Sequence, residues 1–330
     1  MPLIKSTYVA PKLFKNGHIQ TIYPVMFRKV EGVETQRVRI DTHDDDFIDI
    51  DVSLNGRDHV AILSHGLEGS SVNPYVQGMM KSLSTEHFDV IAWNYRSCSG
   101  VMNKQRWFYN ANNYSDLELV ISWAIRMGYK KISLIGFSFG GSLTSYYLGD
   151  KGAHVPSEIV SAMLISSPLD IEEAITNLTN WHFGKVYTES FLSTMRKKVI
   201  EKHELMGLPG IDVAAVKKAK SFRDFDNLYT AKVNGFETAD EYYRHASSIN
   251  LIGNIKVPTL ILNAQNDPFL GENSYPEQLA RNNPNIFLET PKSGGHVGFV
   301  CFKDEHYWSE RRARQFLRRD CLDNRLFNVA

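Results

Sequence analysis

The chain has 330 residues, of which 43% are hydrophobic, and this length fits one large α/β domain with an insertion or two smaller domains. Its 37 basic residues balance 37 acidic residues, so its net charge is near zero. A neutral chain gives no electrostatic reason to expect nucleic acid or an anionic membrane as a partner.

Composition also bears on location and on cofactors. Three cysteines, Cys98, Cys301 and Cys321, are too few and too scattered for a disulfide framework. Residues 1–17 lack the apolar core of a signal peptide, and no apolar run approaches the roughly 18 residues of a membrane span. No metal-ligand spacing and no glycine-rich phosphate loop occurs. We therefore expect a soluble, cytoplasmic protein without an integral membrane segment, a metal or a cofactor.

Short apolar runs alternate with helical patterns along most of the chain. The first predicted strand, Phe47–Ser53, alternates apolar and acidic residues, as a half-exposed strand does. Later runs are short and mostly β-branched or aliphatic, which is typical of strands buried on both faces of a parallel sheet: Val60–Ser64, Phe88–Trp93, Ile132–Ile135, Ala162–Ile165 and Thr259–Leu262. Ile286–Glu289 is a weaker candidate for the last strand. Helices are predicted between them, for example after Asn73-Pro74 and over 114–127. This alternation predicts an α/β fold with a mostly parallel, doubly wound sheet.

One stretch, residues 171–247, contains helical patterns but no convincing strand. Four apolar residues in it recur at every fourth position and predict an amphipathic helix: Tyr187, Phe191, Met195 and Val199. We predict a hydrolase core of residues 1–170 and 248–330 with a helical lid formed by 171–247. The first three residues of the stripe are then candidates for substrate binding. The alternative is a helical layer that only adds to the core.

The strongest chemical signal is a G-x-S-x-G segment at residues 136–140, which follows a predicted strand and opens a helical pattern. In such a nucleophile elbow the serine takes a strained backbone conformation, and the flanking glycines let the strand and the helix pass closely. The helix that begins there directs its amides at developing negative charge. Ser138 is therefore the candidate nucleophile, and a simple tight turn is the alternative.

An elbow of this kind predicts an acid and then a histidine later in the chain. Asp267 follows a predicted strand, and Pro268 disfavours helix at that position. His296 lies on a glycine loop beyond the last predicted strand, where it can take the serine proton while an aspartate fixes its tautomer. We predict a catalytic triad of Ser138, Asp267 and His296. Asp170 is a rival acid, although a helix-capping role already explains it.

An oxyanion hole needs two backbone N–H groups. In this motif the residue after the nucleophile, here Phe139, supplies one of them. The second is predicted at Leu67, because a His-Gly pair after the strand Val60–Ser64 begins a loop typical of hydrolase oxyanion segments. His65 itself is interpreted as a structural hydrogen-bonding residue.

Beyond these motifs, the chain resembles the YheT-like α/β-hydrolases, a subfamily of the abhydrolase superfamily, over nearly its whole length. Five segments carry the resemblance: FKNGHIQTI at residues 14–22, HGLEGSS at 65–71, NYRSCSG at 94–100, NGF at 234–236 and DEYY at 240–243. The resemblance implies an α/β-hydrolase fold and a carboxylesterase-like activity that uses Ser138, Asp267 and His296. Eukaryotic members include medium-chain fatty acid ethyl ester synthases/esterases and phospholipases, which implies a small-molecule acyl ester as the substrate.

Two segments depart from the family pattern. Ser97 stands where a glycine is usual, and residues 110–113 replace a His-Ser-Gly-like stretch. Both are expected to alter the pocket wall, and neither removes a triad member. Membrane-anchored relatives carry an N-terminal apolar segment that this chain lacks.

Three functions agree with these residues. The first is a serine esterase that cleaves short- to medium-chain acyl esters through an acyl-enzyme on Ser138. The second is an acyltransferase or thioesterase that uses the same triad. The third is a hydrolase-fold binding protein without activity, which usually lacks a triad member, and none is missing here.

Overall fold

The computed structural model describes residues 3–86, 88–180 and 184–318, so Cys321 lies outside the described residues. A nine-stranded sheet runs through this part of the chain. Its strands are β1 (Leu3–Ile4), β2 (Gln36–Asp41), β3 (Phe47–Ser53), β4 (His59–Ser64), β5 (Phe88–Trp93), β6 (Lys131–Phe137), β7 (Ile159–Ile165), β8 (Thr259–Leu262) and β9 (Ile286–Glu289). In space they follow the order β1-β9-β8-β7-β6-β4-β5-β3-β2. Strand β3 pairs antiparallel with β2 and β5, and the other neighbours are parallel.

The predicted α/β fold is confirmed, and strands β3 to β9 coincide closely with the predicted runs. Strands β1 and β2 are not predicted by the apolar pattern. β1 has only two residues. β2 lies at the edge of the sheet with most of its side chains in solvent. Because few of its residues need to be apolar, its sequence shows no apolar run.

Twelve α-helices occur in the described residues. They are α1 (Gly17–Phe27), α2 (Pro74–Ser84), α3 (Ser115–Arg126), α4 (Phe139–Lys151), α5 (Ile171–Asn180), α6 (Gly184–Met206), α7 (Val213–Lys218), α8 (Phe222–Phe225), α9 (Ala231–Val233), α10 (Ala239–Ala246), α11 (Glu277–Asn282) and α12 (Trp308–Leu317). A π-helical turn, Asp226–Thr230, joins α8 to α9. None of the helices in this part of the chain is both long and apolar enough to cross a membrane.

Helices cover both faces of the sheet, because each face carries its own apolar cluster. On one face, α3 and α4 contribute buried residues such as Leu117, Ile121 and Leu143. On the other face, α2 and α12 contribute buried residues such as Met79 and Phe316. The strands between these layers are almost fully buried, which explains their continuous aliphatic sequences.

Helices α5 to α10 lie between β7 and β8, and the described part of this segment contains no strand. Its apolar residues form a third cluster that includes Leu192, Val199 and Phe225. These helices add a separate layer, and part of it contacts the loops that follow β4 and β8, since Leu67 and Phe269 belong to the same cluster. The insertion therefore lies over the carboxyl ends of the parallel strands, where ligands bind in open α/β sheets.

Candidate active site

Ser138 lies in a sharp turn between β6 and α4. Its backbone has φ 51° and ψ −120°, a conformation that non-glycine residues rarely adopt. The amide of Ser138 donates a hydrogen bond to the carbonyl of Ile165 in β7 (2.9 Å), which ties the turn to the sheet. The surroundings thus hold a strained serine at the start of a helix, as a nucleophile elbow requires.

Two glycines make this turn possible, because they let α4 pack closely against β6 and β4. A Cβ atom on Gly136 would overlap the carbonyl group of Gly140, because β6 and α4 pass each other there. A Cβ atom on Gly140 would overlap the carbonyl oxygen of Ser64 at the end of β4. Any side chain at either position would therefore push Ser138 away from its neighbours.

His296 lies between Ser138 and Asp267. The Ser138 hydroxyl lies 2.7 Å from Nε2 of His296, and Nδ1 lies 3.0 and 2.9 Å from the two carboxylate oxygens of Asp267. The Asp267 side chain is buried, and one of its oxygens also accepts a hydrogen bond from the amide of Phe269 (2.9 Å). With a proton on Nδ1, the imidazole presents a basic Nε2 to the serine. This chain of hydrogen bonds can activate the hydroxyl as a nucleophile.

Three residues that the sequence did not single out hold the His296 loop. The amide of His296 donates to Oγ1 of Thr21 in α1 (2.9 Å), and the neighbouring amides of Gly295 and Val297 donate to Asn266 and Ser166. The Phe269 ring packs on the imidazole with centroids 4.1 Å apart. Helix α1 was not predicted, although Asn16 is a detectable N-cap whose side chain accepts from the amides of His18 and Ile19.

The loop after β4 is fixed by two tyrosine hydroxyls. The amide of Gly66 donates to the Tyr75 hydroxyl (2.9 Å), and the amide of Glu68 donates to the Tyr109 hydroxyl (3.0 Å). Leu67 lies between these two anchored amides and lines the same cavity as Ser138. Phe139 also lines that cavity, and as the first residue of α4 its N–H has no acceptor within the helix. Both residues predicted to donate to the oxyanion thus line the same cavity as Ser138.

His65 is fully buried below this loop. Its Nδ1 lies 2.7 Å from the carbonyl oxygen of Gly66, and its Nε2 accepts a hydrogen bond from the amide of Tyr95 (3.1 Å). Burial lowers the pKa of His65 to about 3, so the ring stays neutral. Both ring nitrogens are used by the backbone, which agrees with a structural role.

A buried ion pair connects the loop after β4 to the insertion. Glu68 has a positive φ of 55°, and its carboxylate accepts a hydrogen bond from the Tyr109 hydroxyl (2.7 Å). Nζ of Lys198, on α6, lies 3.0 Å from Oε2 of the same carboxylate. Only 7% of the Glu68 side chain and 18% of the Lys198 side chain are exposed. The residue after Leu67 is therefore held from two sides.

A large cavity opens above the serine, between the sheet and the insertion. It encloses about 1080 Å³ of space, part of it open to solvent. Its lining is mostly apolar, and the insertion supplies these apolar and aromatic residues of it: Ile171, Ala174, Ile175, Leu178, Phe191, Met195, Phe222, Phe225, Tyr229, Val233, Tyr242 and Tyr243. A buried carboxyl at the same wall, Asp226, accepts a hydrogen bond from the Tyr243 hydroxyl (2.7 Å), and burial raises its pKa to about 6. We refer to this space as the main cavity.

The predicted stripe on α6 is divided between different surroundings. Phe191 and Met195 line the main cavity, whereas Val199 is fully buried in the apolar cluster of the insertion. Tyr187 is not among the described residues that line the cavity. Its ring packs against Phe269, and its hydroxyl lies 3.1 Å from Nδ1 of His18.

The rival acid, Asp170, has other partners. Its carboxylate accepts hydrogen bonds from the amide of Glu173 (3.1 Å), in the first turn of α5, and from the side chain of Asn273 (2.9 Å). In the described part of the chain, no group of three or more His, Cys, Asp or Glu side chains is placed to hold a metal ion.

The fold and this arrangement of side chains define a class of enzyme. The family model of the alpha/beta hydrolase fold matches residues 62–300, which is most of the chain. The chain belongs to this family, and it is a hydrolase.

Curated relatives agree with the resemblance seen in the motifs. YheT of Escherichia coli K12 is 28% identical, over 94% of this chain and 92% of its own. Human phospholipase ABHD3 is 27% identical over 91% of this chain and 75% of its own length. Monoacylglycerol lipase of Saccharomyces cerevisiae is 29% identical over 81% of this chain and 61% of its own length. The YheT-like relationship is thereby confirmed.

A solved structure has the same fold. The esterase Pf2001 of Pyrococcus furiosus matches with a TM-score of 0.58, covering 88% of this chain and 95% of its own. At 20% identity this similarity shows the fold alone.

Proposed function

We propose that this protein is a serine esterase that cleaves carboxylic esters through an acyl-enzyme on Ser138. The observation that carries the proposal is the unbroken hydrogen-bond chain from Asp267 through His296 to the Ser138 hydroxyl, at the floor of an apolar cavity. Nucleophile, base and orienting acid then have the geometry that acyl transfer requires.

The reaction follows from the positions of these groups. As Oγ of Ser138 attacks the ester carbonyl carbon, its proton passes to Nε2 of His296. The oxyanion that forms accepts hydrogen bonds from the amides of Leu67 and Phe139. When the intermediate collapses, the ester C–O bond breaks and His296 protonates the departing alcohol. Water then attacks the acyl-enzyme, gives its proton to His296, and releases the carboxylic acid and the free serine.

The main cavity supports an acyl chain as the substrate group. Its walls are mostly apolar, and a buried methylene contributes about 0.8 kcal/mol to binding. We propose short- to medium-chain acyl esters, with Phe191 and Met195 touching the chain. Relatives named monoacylglycerol lipase and phospholipase agree with an acyl ester, although their substrates belong to those proteins.

The insertion, residues 171–247, is proposed to be a lid over a core made of 1–170 and 248–330. Helices α5, α6 and α8 supply much of the cavity wall, and the Lys198–Glu68 ion pair joins the insertion to the oxyanion loop. A lid in this position would keep water from the acyl chain while the ester reacts.

Acyl transfer to an alcohol is the second candidate. One relative is named medium-chain fatty acid ethyl ester synthase/esterase 2, and it is 29% identical over 78% of this chain. The acyl-enzyme is the same in both reactions, and only the acceptor differs.

A panel of p-nitrophenyl esters, from acetate to decanoate, tests the proposal. We expect turnover that rises from acetate to medium-chain esters and is abolished in Ser138→Ala. The same panel with ethanol added separates the two candidates, because an acyltransferase forms the ethyl ester in place of the free acid. If Ser138→Ala keeps wild-type turnover, the proposed mechanism is wrong.

A further inference from the structure

A second apolar surface lies outside the main cavity, on α1 and the segments beside it. We call it the N-terminal face, and define it by six exposed side chains: Leu13, Ile19, Ile22, Met26, Phe27 and Phe302. Their exposed fractions range from 42% for Ile22 to 83% for Leu13. Large apolar side chains exposed together in this way usually mark an interaction surface.

The face is continuous. Ile19, Ile22 and Met26 follow helical spacing on α1, so they form one stripe along the helix. An aromatic cluster extends the stripe, because the Phe14 ring contacts both Tyr23 (4.9 Å between centroids) and Phe302 (5.0 Å). Tyr23 in turn contacts the exposed Phe27 (5.2 Å).

The rim of this face is basic. Residues 1–30 contain five basic residues and no Asp or Glu; of these, Arg28 is paired with Glu310 (2.6 Å), whereas Lys12, Lys15 and Lys29, which are close in sequence to residues of the face, are exposed. The two acids that follow Phe302 are paired, Asp304 with Arg311 (3.2 Å) and Glu305 with Lys81. The exposed acids Glu31 and Glu34 follow this segment directly, so the apolar face carries a modest local positive charge beside it, which the near-zero net charge of the whole chain does not reveal.

The face is attached directly to the loop that carries His296. Thr21 in α1 accepts the hydrogen bond from the His296 amide, and the carbonyl oxygen of Lys15 accepts one from the side chain of Asn266 (2.9 Å). A surface that binds at α1 would thus lie next to the triad.

We propose that the N-terminal face docks the protein on an anionic phospholipid membrane. Its apolar side chains would enter the boundary between headgroups and acyl chains, and the lysines would lie at the level of the anionic phosphates. A second copy of this chain fits less well, since a two-fold contact would bring the lysines of both copies together. The proposal does not rest on the esterase mechanism, because it concerns binding that needs no turnover.

Vesicle flotation with the full chain tests the proposal. Vesicles of phosphatidylcholine alone are compared with vesicles of three parts phosphatidylcholine to one part phosphatidylglycerol. We expect binding to the anionic vesicles that weakens with added salt, and much weaker binding to phosphatidylcholine alone. Ser138→Ala should bind like the wild type, so failure of the esterase proposal and failure of this one are distinguishable.

Three double variants locate the contact. Ile22→Glu with Met26→Glu should lower the vesicle partition coefficient at least tenfold, and Lys12→Gln with Lys15→Gln should lower it about fivefold per lysine. The matched control, Met127→Glu with Leu205→Glu, changes two exposed apolar residues elsewhere and should bind like the wild type. Circular dichroism melting confirms that each variant is folded.

The outcomes that overturn the proposal are distinct. They are absence of binding to anionic vesicles, equal binding to both compositions, or unchanged binding by Ile22→Glu with Met26→Glu. A dimer in light scattering that this variant dissociates would assign the face to a second copy instead.

Discussion

Replacing Phe191 and Met195 together with alanine should weaken the dependence of turnover on acyl chain length. Both side chains form part of the cavity wall that α6 provides, and the Phe191 ring lies 6.1 Å from Phe222 across that wall. Each methylene buried against an intact wall contributes about 0.8 kcal/mol, or nearly fourfold in kcat/KM. From butanoate to octanoate the gain is at most about 3 kcal/mol, roughly 200-fold. In the double variant, water replaces the missing wall, and we expect the same gain to fall to about tenfold or less.

The assay is kcat/KM for p-nitrophenyl esters of increasing chain length. Val199→Ala is the matched control, because Val199 belongs to the same stripe but is buried within the insertion. It should cost about 1–3 kcal/mol of stability and leave the chain-length dependence unchanged. If Phe191→Ala with Met195→Ala loses stability in the same way while keeping the wild-type dependence, the two side chains belong only to the core of the insertion.

The remaining predictions concern the acid, the ion pair and a buried carboxyl. Asp267→Asn should keep the fold and lower kcat by about 10⁴-fold, since the imidazole loses its orienting partner. Asp170→Asn should be nearly as active as the wild type. The reverse pattern in steady-state kinetics would assign the catalytic acid to Asp170. Lys198→Met should leave the Glu68 carboxylate without its cation, which should lower the unfolding free energy in urea by about 2 kcal/mol after allowance for partial exposure and should also lower kcat. Lys198→Arg should recover most of both losses, and equal losses in the two variants would contradict a role for the charge. Burial raises the pKa of Asp226 from its ordinary value near 4 to about 6, so the stability associated with its neutral form is complete below pH 4 and is lost as the pH rises through 6. In urea unfolding, the wild type should lose about 3 kcal/mol of unfolding free energy between pH 4 and pH 7, and Asp226→Asn should not show this loss. If the variant has the same pH profile as the wild type, the buried carboxyl is not its cause.

The central strands were predictable because burial on both faces leaves continuous aliphatic runs such as Val60–Ser64. The edge strand Gln36–Asp41 was not, because its exposed side chains carry no such constraint. Helix α1 was missed for a related reason. Its apolar residues face solvent, and Pro24 interrupts the helical pattern.

The chain order of Ser138, Asp267 and His296 was sufficient to select three residues that the fold brings together. The residues that support them were not accessible in the same way. Thr21 lies 275 positions before His296, and a hydrogen bond between residues so far apart in the chain cannot be predicted from local sequence patterns. Ion pairs such as Lys198 with Glu68 depend on how the insertion lies over the sheet, which periodicity does not determine.

The stripe on α6 shows the limit of a spacing argument. Residues four apart on a helix are offset by about 40° around its axis, so three such steps turn through about 120°. Tyr187 and Val199 therefore face different surroundings, and only the middle members, Phe191 and Met195, line the main cavity. A strict spacing of four predicts an amphipathic helix, but not one surface for all of its apolar residues.

The central claim is that Ser138 is the nucleophile, and covalent labelling tests it most directly. The protein is treated with a fluorophosphonate, digested, and examined by mass spectrometry, with Ser138→Ala and His296→Ala in parallel. We predict one modified peptide in the wild type, with the label on Ser138, no label in Ser138→Ala, and slow labelling in His296→Ala because the hydroxyl loses its base. A label on any other residue, or labelling of Ser138→Ala at the wild-type rate, would contradict the mechanism.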